Sequence, residues 1–347
     1  MTSNLIGARL ENDFVIESAR IATPNATGSC QSTGYIARAS DGRRAFVKVL
    51  DTSIDRDAAD PVADLKARVD AYFYERNLLL KTLQRKMSRI VRAITSGEIA
   101  SSAAAVSNPT YYLLFELADG DLREHVELER QFDQAFRLRV LHQAATGLQQ
   151  LHLSQIAHQD VKPSNVITFQ EKGIKLADLG HAHDKAVARP GKMRLIAGDP
   201  SYAPPEQLYG YELADWATRR FAADLYQLGS LAVFLFTGVG ATVLLGGQLR
   251  PEHHWDVWLG GRYTDILPHL IEATEAVMDE TVAEAEESLR PQLMTLLSYL
   301  LEPDPEKRGY PENLAGGGAR FGLERFVSRF DVLAQRAEWS MRKRIIP

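Results

Sequence analysis

An α+β architecture in two lobes follows from three features of the 347-residue sequence: strand signals crowd its first third, helical periodicity dominates the remainder, and the two do not alternate as β-α-β units. That length allows two compact domains or one large two-lobed one. Hydrophobic residues make up 45% and charged residues 24%, which excludes a disordered, collagen-like or coiled-coil chain. Lys and Arg number 40 against 45 for Asp and Glu, a net charge of −5. This balance offers no general attraction for polyanions, so neither a nucleic-acid nor a membrane partner is expected. A single cysteine, Cys30, excludes an intrachain disulfide framework and a thiolate zinc cluster. Met1 to Asn12 lacks an apolar run of signal-peptide length, and a cytoplasmic location is expected.

Phe14-Val15-Ile16 and Tyr35-Ile36-Ala37 read as short strands, and Asp41-Gly42 as a hairpin turn leading into a third strand, Ala45 to Leu50. From Pro61 to Lys86 the period changes: Val62, Leu65, Val69, Tyr72, Phe73, Leu79 and Leu83 predict one long amphipathic helix, with Pro61 suited to its first turn. Two further strands, Ile90 to Ile94 and Tyr111 to Leu117, flank the small-residue loop Ala100 to Asn108. Past Asp121 helices take over, for example Phe136 to His152. The expected divisions are 14–117, 118–331 and a basic C-terminal tail, 332–347. Gly229 to Gly247 carries no charge over a length that could span a bilayer. Its glycines favour a buried helix ending near Gly238, with a membrane span as the alternative. The acidic stretch Ile271 to Leu289 reads as a solvated helix face, or less simply as a docking surface.

The segment His158-Gln159-Asp160-Val161-Lys162-Pro163-Ser164-Asn165, followed by Ala177-Asp178-Leu179-Gly180, carries the chemistry. It sets Asp160, Lys162, Asn165 and Asp178 in that order along the chain. The pattern resembles the catalytic loop and metal-binding triplet of eukaryotic-like (Hanks-type) Ser/Thr protein kinases, with Gln159 where that family has Arg and Leu179 where it has Phe. The resemblance runs from about Phe14 to Asp331. It implies a small antiparallel-sheet N-lobe with one long helix, a larger helical C-lobe, and transfer of the γ-phosphoryl of ATP to Ser or Thr of a protein substrate with Mg²⁺ as cofactor.

Carried over residue by residue, the resemblance makes Asp160 the group that orients the acceptor hydroxyl and Lys162 the neutraliser of the transferring phosphoryl. Asn165 and Asp178 become Mg²⁺ ligands. Lys48, in Ala45-Phe46-Val47-Lys48, becomes the phosphate-gripping lysine, with Glu75 as its helical partner and Asp70 as runner-up. Gly28, Gly34 and Ile36 correspond to the nucleotide loop, and Glu116 and Ala118 to the hinge that meets adenine. Asp121 has two readings, a ribose contact or a helix cap before Leu122. Gly198-Asp199-Pro200-Ser201-Tyr202-Ala203-Pro204-Pro205-Glu206 resembles the end of an activation segment, with Arg308 as the expected partner of Glu206 and Asp224 as anchor of the central helix.

The departures matter as much. Gly28 and Gly34 are one residue too far apart and lack the middle glycine, Phe46 replaces a small residue against adenine, and Asp199 stands where Ser/Thr kinases have Thr. A carboxylate at 199 is expected to compete for Lys162 or repel Asp160. Gln159 removes the usual receiver of an activating phosphate, and His181 to Pro200 contains no Ser, Thr or Tyr, so control by phosphorylation of that stretch is not expected, although a regulatory protein partner is. The alternatives are a nucleotide-binding pseudokinase scaffold and a small-molecule kinase; the Glu206 and Arg308 apparatus argues against the latter.

Overall fold

The computed structural model describes residues 5–20, 32–53, 59–99, 110–124, 133–170, 172–191 and 195–345. Gly28, Cys30 and the Ala100 to Asn108 loop lie outside them. The chain folds as two compact units that part between Asp119 and Gly120, apart from a short stretch beginning at Ala188 that groups with the first.

In the first unit, five strands among the described residues form one antiparallel sheet: β1 (Phe14–Ala19), β2 (Ser32–Ala39), β3 (Arg44–Leu50), β4 (Ala93–Ile99) and β5 (Thr110–Glu116), in the order β1-β2-β3-β5-β4. The expected turn joins β2 to β3, with Gly42 at φ 88°, where a side chain would be strained. Period-two alternation then sorts the faces. Ala45, Val47 and Val49 are buried with Phe14, Ile16, Tyr35, Ala37, Tyr112 and Leu114 in a core on one face. Phe46 and Lys48 therefore emerge on the opposite one. Helix α1 (Pro61–Gln84) starts at Asp60, whose carboxylate accepts from the Ala63 amide at 3.0 Å. It buries Tyr72, Leu78 and Leu79, and the Tyr72 hydroxyl donates to the Tyr112 carbonyl at 2.9 Å.

The fourth strand departs from expectation. Ile90 and Val91 are buried in the lead-in to β4, and the ladder runs instead through Thr95, Ser96, Gly97 and Glu98 to Ile99. β4 is an edge strand, where polar side chains pair as well as apolar ones; Ile90 makes an isolated bridge outside its ladder.

The second unit is mainly helical: α2 (Gln134–His152), α3 (Pro205–Leu208), α4 (Trp216–Thr237), α5 (Ala241–Gln248), α6 (Tyr263–Ala283), α7 (Arg290–Leu301) and α8 (Glu324–Ile345). Short strands that periodicity did not reveal interrupt it. β6 (Gly120–Asp121), β8 (Val166–Phe169) and β9 (Gly173–Leu176) make a small sheet, and β7 (Ile156–Ala157) pairs with β10 (His183–Asp184). The uncharged stretch resolves as expected at its amino end. α4 is buried along nearly all its length and stops at Gly238, φ 82°, whose amide donates to the Phe234 carbonyl at 2.8 Å. α5 follows at an angle of 82°, and among the described residues no single helix is long and apolar enough to cross a membrane. The acids Glu272, Glu275, Asp279 and Glu280 lie on the exposed face of α6. The break expected at 331/332 falls inside α8, where Phe330, Leu333, Ala334 and Ala337 are buried on one stripe that packs against α2.

Candidate functional site

In the first unit the chemistry gathers on the sheet face that α1 covers. Lys48 pairs across β3–β2 with Gly34 and across β3–β5 with Leu113. Its ammonium donates to both oxygens of Glu75, at 3.0 and 3.1 Å. Asp70, the competing candidate, is bound to Lys66 at 2.7 Å on the exposed side of α1. Glu75 wins because it lies on the helical stripe of Tyr72, Leu78 and Leu79 that faces the sheet. Next to Lys48 on the same face, Phe46 pairs with Ile36 and with Phe115, its ring 6.3 Å from the Phe115 ring. A methyl group on Gly34 would sit 2.9 Å from the edge of the Phe46 ring, so Gly34 is the residue that makes room for this aromatic. Glu116 ends β5: its amide donates to the Arg92 carbonyl at 3.1 Å and its carboxylate accepts from the Arg92 amide at 2.9 Å. Ala118 follows, half-buried.

In the second unit the loop between β7 and β8 is tied down along its whole length. Gln159 takes a left-handed backbone, φ 67°, which turns Asp160 away from the run of the strand. The hub is Asp224 on α4, fully buried. It accepts the amides of His158 and Gln159 at 2.8 Å, the Gln159 side-chain amide at 2.9 Å and a His152 ring nitrogen at 2.8 Å. Burial pushes its carboxyl up, but the hydrogen bond and charge of His152, the charge of His158 and the Gln159 amide outweigh this and hold it below the usual value. Gln227, one turn on, accepts the Val161 amide at 2.9 Å and donates to the Gln159 carbonyl at 3.0 Å. The Gln159 side chain also receives the Arg220 guanidinium, Nη1 to Oε1 at 2.9 Å. His152, Arg220 and Gln227 are supports that motif reading missed. The available signal was the i, i+3 step from Asp224 to Gln227, which puts two polar groups on one face of an apolar helix.

Asn165 and Asp178 stand at the open end of the β8–β9 hairpin, brought together by the Ala177 amide donating to the Asn165 carbonyl at 2.9 Å. The Asn165 side-chain amide donates to the Asp160 carbonyl and to Asp160 Oδ2, both at 2.8 Å, which leaves its Oδ1 as an acceptor with no hydrogen bond among the described residues. Asp178 sits at φ 59°, a second left-handed position held by a side chain, with Oδ1 accepting from the Gly180 amide at 3.2 Å. Carboxylate and amide oxygens are the donor set that hard divalent cations take, so these two residues fit such an ion. Asp121 caps the turn after it, accepting from the Glu124 amide at 3.1 Å, and burial raises its carboxyl above the usual range. This hydrogen bond is the one that the capping reading expects.

Asp199 neither displaces Asp160 from Lys162 nor stands apart from it. Lys162 Nζ lies 3.2 Å from Asp160 Oδ2 and 3.3 Å from Asp199 Oδ2, while the Asp199 amide donates to Asp160 Oδ1 at 2.9 Å. Its other oxygen caps the short turn that follows, accepting from the Ser201 amide at 3.0 Å. The preceding Gly198 is required by contact: a Cβ there would be 2.4 Å from Asp160 Oδ1 and 2.5 Å from the Gln159 carbonyl oxygen. Farther along, Glu206 and Arg308 form the anticipated pair, two parallel bonds of 2.8 Å with both side chains buried.

A family model described as "Protein kinase domain" matches residues 32–315. Curated relatives include an Aurora kinase of Debaryomyces hansenii, 30% identical over 37% of this chain and 30% of its own, and the serine/threonine-protein kinase PLK4 of Drosophila grimshawi, 26% identical over 65% of this chain and 30% of its own. The serine/threonine-protein kinase PknA of Corynebacterium glutamicum is 28% identical over 37% of this chain and 26% of its own. The chain thus spans about a third or less of the length of these relatives. With an ion-paired lysine on a five-stranded sheet, a catalytic-type loop anchored on a buried aspartate, and a family match over most of its length, the chain belongs to the protein kinase domain family.

Proposed function

We propose that this protein is an ATP- and Mg²⁺-dependent protein kinase that phosphorylates Ser or Thr of protein substrates in the cytoplasm, and that phosphorylation within its activation segment does not switch it. The observation that carries the reading is the loop from His158 to Asn165. Asp160 is buried, receives bonds from Asn165 and from the Asp199 amide, and has Lys162 beside it. In this reading Asp160 orients the acceptor hydroxyl, Lys162 neutralises the moving phosphoryl, and Asn165 with Asp178 holds Mg²⁺, which supplies charge neutralisation at the phosphates. Lys48, fixed by Glu75, grips the α- and β-phosphates; Gly28, Gly34 and Ile36 cover the nucleotide, and Glu116 and Ala118 meet adenine. Constitutive order is supported by Gln159, which is neutral where a basic residue would receive a phosphate and is already held by Arg220, Asp224 and Gln227.

The test is transfer of label from γ-labelled ATP with Mg²⁺ to generic protein acceptors, comparing the full chain with Asp160→Asn. Label on serine or threonine with the wild type alone supports the reading, and Ser201→Ala should retain it. A second reading, a nucleotide-binding scaffold, draws on Phe46, whose ring occupies the space over Gly34. Stabilisation by Mg²⁺·ATP without transfer to any acceptor would establish that reading instead.

A further inference from the structure

We infer that Asp199 is a specificity-determining residue, one that makes the acceptor site select serines or threonines flanked by a basic residue and reject those flanked by an acidic one. The inference rests on the kinase reading above and deepens it. Its basis is the charge count around Asp160. Among the described residues Asp160 and Asp199 share one ion-paired cation, Lys162, at 3.2 and 3.3 Å, so their carboxylates lie within about 6.5 Å of each other and the trio carries one excess negative charge. A hydroxyl residue at 199 would leave the trio neutral.

The Lys162 ammonium has three donors, enough for the two carboxylates and one phosphoryl oxygen, so Asp199 fixes its position without withdrawing it from a phosphate. The unbalanced charge falls on whatever lies next to the acceptor. An acceptor hydroxyl must come within about 2.6 to 3.2 Å of the Asp160 carboxylate, which places the neighbouring residue of the peptide a few ångströms from Asp199. The Asp199 side chain is 14% exposed, open enough to act on a ligand yet poorly screened. Its charge reaches Tyr202, whose hydroxyl is raised to about 12 by burial and by Asp199, while Arg123 acts in the opposite sense. A guanidinium or ammonium beside the acceptor is therefore attracted, and a carboxylate is repelled by both acids at once.

The experiment uses the full chain and three synthetic peptides, each with one serine and no threonine or tyrosine, identical except for Arg, Ala or Glu immediately after the serine. For the wild type, kcat/KM for the Arg peptide should exceed that for the Glu peptide by about tenfold or more. In Asp199→Asn, which keeps a capping side chain before Ser201, this ratio should fall at least about fivefold, mainly through KM, with an unchanged melting temperature. Asp199→Glu should restore the preference, and Asp199→Thr should abolish it. An Arg-to-Glu ratio that Asp199→Asn and Asp199→Thr leave untouched overturns the inference, as does an equal loss of kcat on all three peptides. Failure of the wild type to label any peptide or protein acceptor instead removes the kinase reading, and this inference with it.

Discussion

Lys48 with Glu75 and Arg308 with Glu206 are both bidentate ion pairs, yet they are built for opposite ends. The Arg308 guanidinium is completely buried and also donates to the carbonyls of Glu302 and Ala222, at 2.8 and 3.0 Å; burial opposes its charge, but the Glu206 carboxylate outweighs that and raises its proton affinity. The pair is sealed on all sides by its own chain and by Tyr226, over whose ring the guanidinium lies. The Lys48 side chain stays 19% exposed, on a sheet face beside Gly34. A sealed pair can only hold the fold, whereas a partly open one can still present charge to a ligand. The same chemistry in two environments thus separates a structural role from a binding one.

The largest effect that sharpens this contrast is expected at Arg308. Arg308→Ala leaves the Glu206 carboxylate buried without its partner, and the expected loss is about 3 to 5 kcal/mol of unfolding free energy, read by denaturant titration of the full chain. Replacing both residues together by Met should recover most of that loss, because the penalty belongs to the orphaned charge. If the double variant is as unstable as the single one, the pair is not the sealed element described.

Next in size is Gly198→Ala. A Cβ would strike Asp160 Oδ1 and the Gln159 carbonyl, so the chain must shift at the loop that Asp224 and Gln227 hold in place. A cost of about 1 to 3 kcal/mol is expected, with phosphoryl transfer lost more completely than stability. Ordinary folding with full activity would show that Asp160 is less rigidly placed than its hydrogen bonds imply.

These residues also show what a sequence discloses. Lys48, Glu75, Glu206 and Arg308 were legible because each lies in a short motif that resembles the family's, and the resemblance, not the spacing, names its partner. Gly198 was not, because its requirement arises from contact with a loop almost forty residues earlier. The left-handed backbones at Gln159 and Asp178 were equally silent, since neither residue is glycine. β4 was misplaced because an edge strand of Thr, Ser, Gly and Glu carries no hydrophobic period, and two-residue strands such as β7 carry none at all. The Asp224 hub stood half in view: its place as an anchor could be read, its His152 and Gln227 partners could not.

Acid offers a subtler test of the sealed region. Asp224 has its carboxyl held below the ordinary value near 3.9. A lowered folded value means that its contribution is fully present above the unfolded value and is lost as pH falls through the folded one. Stability of the full chain should therefore decline below about pH 4, and Asp224→Asn should be less stable at neutral pH with a shallower acid slope. An unchanged slope in that variant would take Asp224 out of the acid response.

The smallest stability effect belongs to the open pair, and there the contrast is sharpest. Lys48→Met leaves the buried Glu75 carboxylate without its ammonium, but the lysine's own site is 19% exposed and admits water, so the expected loss is about 1 to 2 kcal/mol, below that at Arg308→Ala. Transfer of the γ-phosphoryl should nevertheless fall by about a hundred- to a thousandfold, because a charge placed to meet phosphate oxygens has been removed. Lys48→Arg keeps the cation but changes a point charge into a planar fork, and should restore stability more fully than activity. A Lys48→Met protein as unstable as Arg308→Ala would put both pairs in the structural class, and a fully active one would leave the sheet face without a phosphate-binding role.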